Sequence, residues 1–133
     1  MPAQDAASDV LAGALIGDET VTLFDNTHAE IGVGDDNTAH SSAHTQLQAE
    51  ANTTDFLYKS MNAGYPELDP DEDGSDNLIR FQATFGTDEA NFTWEEWGIR
   101  AGGVLFNRAV ETVGAKDNTE QWVFEVDIEI NVA

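Results

Sequence analysis

The chain has 133 residues, with 26 Asp and Glu against five Lys and Arg and a formal net charge of −21. That length suits one domain with its own core, and the lack of cysteine excludes disulfides and thiolate metal sites. The charge excludes nucleic acid as partner, because phosphate binding needs Lys and Arg patches, and it excludes anionic membrane surfaces; no apolar run reaches the ~18 residues of a membrane helix.

The acid is spread along the whole chain, and aromatic residues make up 9%. Both features point to a folded protein with a carboxylate surface rather than a disordered acidic tail. Such a surface repels itself in dilute buffer. Molar salt relieves it, because screening shortens to about 3 Å at 1 M, so a halophilic source is expected. The N-terminal stretch MPAQDAASDV has neither a basic region nor a twin-Arg pair, so no export signal is expected; a virus particle is one route out of a cell.

In chain order, residues 4–15 predict a short helix. Ala7, Val10, Leu11, Ala14 and Leu15 share a face, Gly17 closes it, and the small-residue face suits a partner subunit as well as the chain's own domain. Residues 1–17 are accordingly read as a helical arm and 18–133 as one β domain. Glu19–Phe24 and Ala29–Gly34 predict strands, the second with Gly32 and Gly34 bare on one face where another backbone comes close. Thr38–Ala51 predicts a helix with Ala43, Leu47 and Ala51 on one side, and with His40 and His44 one turn apart but lacking the third ligand of a zinc site. Asp55–Met61 predicts a strand with bulk on both faces, which makes Phe56 and Tyr58 candidates for an interface.

Residues 62–77 predict an acidic loop. Asp69, Asp71 and Asp73 stand at the alternate spacing that opens a calcium loop, followed by Gly74, so they are candidate ligands for Ca2+ or Mg2+. The match then fails, with Asp76 where an apolar residue is usual and Arg80 where a bidentate Glu is required. Leu78–Phe85 alternates strictly and predicts a strand. Trp94–Ala101 predicts another, with Trp97, Ile99 and Ala101 on one face and Trp94, Glu96 and Arg100 on the other as candidate contact residues; packing of Trp94 under a second sheet is the competing reading. Gly102-Gly103 predicts a hairpin turn into Val104–Val110. Gln121–Val132 predicts a last strand of twelve residues, apolar on one face and carboxylate-lined on the other.

No catalytic set emerges. Glu95 and Glu96 are adjacent on a strand and cannot flank one bond, and no serine stands in a nucleophile elbow. No enzymatic role is expected, and no cofactor beyond Ca2+ or Mg2+ at the acidic loop.

Two stretches carry a resemblance. FDNTHAEIGVGDDNTAHSSAHTQLQAE (residues 24–50) and FQATFGTDEANFTWEEWGIRAGGVLFNRAVE (residues 81–111) resemble segments of small structural proteins of tailed phages. With Lys59 to Pro66, the likeness spans most of residues 13–132, and the acidic loop at 69–76 and the overall charge depart from it. The resemblance implies a β-rich virion subunit working as a symmetric homo-oligomer, trimer or pentamer, with no catalytic residues to carry over. Joined to the charge, it implies a tailed virus of haloarchaea. The expected fold is a mainly β, antiparallel, jelly-roll-like sandwich of about 7–8 strands with one or two short helices. The expected role is a capsid decoration or turret subunit, with itself and other virion proteins such as the major capsid protein as partners. Two alternatives stay open: a tail-fibre or collar module that binds the host surface, and a calcium-dependent binding domain of a halophilic cell.

Overall fold

A computed structural model describes residues 3–74 and 76–131. In chain order the elements are α1 (Ala6–Ile16), β1 (Ala29–Gly34), α2 (Gln48–Ala51), β2 (Phe56–Ser60), β3 (Glu67–Leu68), β4 (Leu78–Phe85), β5 (Thr93–Ala101), β6 (Val104–Ala115) and β7 (Trp122–Glu129). Two antiparallel sheets form, ordered β2-β1-β5-β6 and β3-β4-β7. The expected mainly β sandwich with two short helices is therefore the fold, and the sheets stay open rather than closing into a barrel.

The core lies between the sheets. From β4 come Phe81, Ala83 and Phe85, and from β7 come Val126 and Ile128, each buried by the alternation visible in the sequence. The wide sheet answers with Ile31, Val33, Ile99 and Phe106. Trp94 stands at the centre, wholly buried, with ring centroids 4.8 Å from Phe85, 4.9 Å from Trp122 and 5.6 Å from Phe124, all edge to face. This geometry sets ring edges against ring faces and adds to the area buried.

Of the two places open to Trp94, the structure takes the one beneath the second sheet rather than the contact surface. Simple alternation puts it opposite Trp97, on an outward face. The β5–β6 register slips between Trp94 and Glu96, and that bulge turns Trp94 and Trp97 toward the same sheet, where Trp97 meets Phe124 at 5.9 Å. A second slip, between Ile99 and Arg100, leaves Phe106 as the extra residue, and the Asn107 side-chain carbonyl accepts the Ile99 N–H at 3.0 Å. The hairpin turn is as read: Gly102 and Gly103 have φ of 58° and 77°, the left-handed pair that joins strands with the right twist.

Other expectations change. Residues 19–24 form no strand; Phe24 packs on Phe106 at 5.6 Å while Leu23 faces outward. The expected helix over 38–51 survives only as α2, with the rest an irregular cover over the wide sheet. β6 runs to Ala115, five residues beyond expectation, and β7 stops at Glu129. Val132 lies outside the described residues. The helix expected over 4–15 forms at Ala6–Ile16, and Gly17, left-handed at φ 69°, closes it with the Asp18 N–H on the Gly13 carbonyl.

Each of the five basic residues joins two parts of the chain. Lys59 on β2 holds Glu89 at 2.6 Å, and Arg80 on β4 holds Asp127 on β7 at 2.8 Å. Arg100 on β5 holds Glu30 on β1 at 2.9 Å, and Arg108 on β6 holds Glu96 on β5 at 2.6 Å. The Lys116 ammonium, after β6, bonds the Gly86 carbonyl at 2.7 Å and the Asn91 side chain at 2.8 Å.

Replacing Trp94 by Ala removes the centre of three ring contacts and should cost about 3–5 kcal/mol, whereas Val123→Ala, on the exposed face of β7, should stay within about 1 kcal/mol. Urea unfolding followed by circular dichroism in molar salt measures both.

Candidate functional site

Two regions stand out: a polar platform on the outer face of the wide sheet, and an apolar groove beside α1. The platform begins with missing side chains. Gly32, Gly34 and Gly98 lie next to one another across β1 and β5 and leave a trough. At Gly34 a Cβ would stand 2.5 Å from Glu96 Oε2 and 2.8 Å from the Ala49 side chain, so the trough is filled by what packs on it. The expected close approach at these glycines is therefore made by side chains, Tyr58 and Leu47 over Gly32 and Glu96 with Ala49 over Gly34.

Glu96 and Arg108 are both wholly buried there. One Glu96 oxygen accepts Arg108 Nε at 2.6 Å and the Gln48 N–H at 2.8 Å; the other accepts the Ala49 N–H at 2.7 Å. Arg108 Nη1 reaches on to the Thr38 carbonyl at 2.9 Å. Gln4 clamps the same cover from the other side, donating to the Ser41 and His44 carbonyls at 2.9 and 2.7 Å and accepting from His40 Nε2 at 2.8 Å. Asp36 is held below the usual carboxylate range by the Thr38 side chain, then the Asn52 amide and the Thr38 N–H, with Arg108 adding charge.

The residues expected as contacts separate into two groups. Trp94 belongs to the core and Glu96 to this platform, so neither presents a surface. Phe56, Tyr58 and Arg100 do come together at the β2 edge. The Arg100 guanidinium stacks 3.3 Å over the Tyr58 ring while bonding Glu30, and Phe56 meets Tyr58 edge-on at 6.1 Å. The Tyr58 hydroxyl donates to Glu50 at 2.8 Å and accepts the Leu47 N–H, and burial pushes its pKa up.

In the acidic loop, Asp69 takes the backbone N–H groups of Asp73 and Gly74, each at 3.2 Å, and Asp71 faces Arg80 at 3.4 Å. Among the described residues no three Asp, Glu or His side chains converge as a metal set. His40 and His44 lie on the irregular cover rather than a helix; His44 accepts the Ser41 N–H, and burial lowers its pKa.

The groove is the feature that spacing on single elements did not reveal. Its walls are Val10, Leu11 and Ala14 of α1, Leu23 and Phe24 of the following connection, Ile79 and Phe81 of β4, Phe106 of β6, and Ile128 and Ile130 at the end of β7. It encloses about 130 Å3. Leu15 and Ile16, at the end of α1, are 86% and 80% exposed, and Leu23 is 53% exposed. The apolar spacing of residues 4–15 is the sequence signal for this surface, while its other walls come from strands far away in the chain.

Compared with protein-family models, curated proteins and solved structures, the chain gives no match.

Two outcomes follow from the platform. Arg108→Met leaves Glu96 buried without its cation and should cost about 3–5 kcal/mol in denaturant unfolding; Gly34→Ala, which pushes on the same carboxylate, should cost about 1–3 kcal/mol. A separate outcome concerns acid. The Lys59 ammonium and then the Gly86 N–H hold the Glu89 carboxyl below its usual range. The folded chain thus binds that proton less readily than the unfolded one. The stabilisation is present above the unfolded value and is lost as pH falls through the depressed one. NMR titration of the Glu89 side chain should show its midpoint rising in Lys59→Met.

Proposed function

We propose that the chain is a non-enzymatic structural subunit of a virion, a capsid-surface decoration or turret-type protein of a tailed virus adapted to high salt. It works as a homo-oligomer, trimer or pentamer, and sits on other virion proteins such as the major capsid protein. The observation that carries this reading is apolar surface left open in a chain of net charge −21: Leu15 and Ile16 at the end of α1 face solvent and are open to another copy, and a separate apolar groove beside α1 is open to a second virion protein. Exposed apolar surface of this kind marks a site of association. The carboxylates elsewhere keep the rest of the subunit hydrated in molar salt, where their mutual repulsion is screened.

The resemblance to tailed-phage structural proteins supports the same reading. Its two stretches supply Gly34 and Gln48 on one side and Glu96 and Arg108 on the other, which pack together on the wide sheet. They make a unit whose job is to hold shape. A second reading, a tail-fibre or collar module touching the host, draws on the partly buried cluster of Phe56, Tyr58 and Arg100 at the sheet edge.

Mass spectrometry of purified virions should find the chain in stoichiometric amounts, and sedimentation in molar salt should give a trimer or pentamer. A chain absent from particles, or a clean monomer at virion-like concentration, would remove the structural reading. Blocking of infection by the free protein would favour the host-binding one.

A further inference from the structure

We propose that the groove beside α1 is a docking site for an apolar segment of a different protein, one that carries Lys or Arg on both sides of its apolar centre. This rests on the assembly reading above and names the surface by which the subunit is anchored.

The groove asks for an apolar occupant. All its wall side chains are hydrocarbon or aromatic, and Leu11 and Leu23 are exposed at 41% and 53%. Water held there finds no side-chain hydrogen-bond partner, so its displacement by a Leu or Ile side chain is favourable.

Charge decides who supplies that side chain. Three neighbouring hollows share walls with the groove; Asp9, Asp18, Glu19, Asp25 and Glu129 line them, and no Lys or Arg lines any of the four among the described residues. Apart from His28, which is bonded to Asp25, the ionisable groups of these hollows are acidic, and the complement of an apolar groove with acid on its flanks is an apolar segment with cationic flanks. A second copy of this chain fits poorly. Its most exposed apolar pair, Leu15–Ile16, is followed after Gly17 by Asp18 and Glu19, and each of its five cations is already engaged within the fold. In molar salt only contacting charges still select, because screening acts within about 3 Å.

Two synthetic peptides with the same Leu-Ile-Leu centre, one flanked by Lys and one by Glu, test this on the full chain. Methyl NMR follows binding at the lowest salt that keeps the chain folded and again at molar salt. The Lys-flanked peptide should bind saturably, about tenfold tighter than the Glu-flanked one at low salt, with the gap narrowing as salt rises. Methyl shifts should fall on Leu11, Leu23, Ile128 and Ile130. Leu23→Asp should weaken binding, and so should Ala14→Met, which fills the groove with a good helix former. Equal binding of both peptides, no binding, or shifts confined to other surfaces would overturn the proposal. Self-association of the chain abolished by Leu23→Asp would also overturn it, by showing a second copy in the groove. Virion mass spectrometry is independent: a chain present in particles that fails these titrations loses the groove assignment only, and one absent from particles that passes them loses the assembly reading only.

Discussion

Glu96 and Arg108 form a charge pair that water does not reach, and the cover of the wide sheet depends on it. Burying two charges costs several kcal/mol per ion, recovered only when the remaining lone pairs and N–H groups are bonded as well. Here the carboxylate has three donors and the guanidinium reaches a backbone carbonyl beyond it. The pair ties together β5, β6, the start of α2 and the segment before it. Without Glu96, two backbone N–H groups and the Arg108 charge would be stranded beneath that segment.

The two faces of the wide sheet solve different problems. Its inner face is hydrocarbon and aromatic, ordered around Trp94, and it tolerates little change of volume. Its outer face is nearly bare backbone at Gly32, Gly34 and Gly98, and it seats a polar network whose specificity comes from direction rather than bulk. A third region, beside α1, is left incomplete. Phe81, Phe106 and Ile128 are themselves buried, yet they also form walls of a groove that α1 only partly roofs.

Period-two alternation made much of the sandwich legible. Leu78–Phe85 and the core of the last strand stand where the pattern places them, and Gly17 and Gly102-Gly103 mark a helix end and a turn. What stayed hidden was tertiary. The helix expected over 38–51 loses to side chains from elsewhere: Arg108 binds the Thr38 carbonyl and Gln4 those of Ser41 and His44, groups that a helix would need for its own ladder. Trp94 and Glu96 looked like an outward pair because a bulge cannot be seen in a single strand's pattern. The groove was half legible, as an apolar helix face, since its remaining walls converge only in three dimensions.

The engagement of all five basic residues makes the chain's tolerance of substitution lopsided. Most of its carboxylates project into solvent, so a surface residue can become acidic with little effect on the fold. A basic residue cannot be lost so freely, because each one fastens two segments. Drift under constant salt can therefore ratchet the surface toward more negative charge while the few cations stay in place. The lowest positive charge compatible with this architecture is set by the number of joints it must close, not by the solvent it lives in.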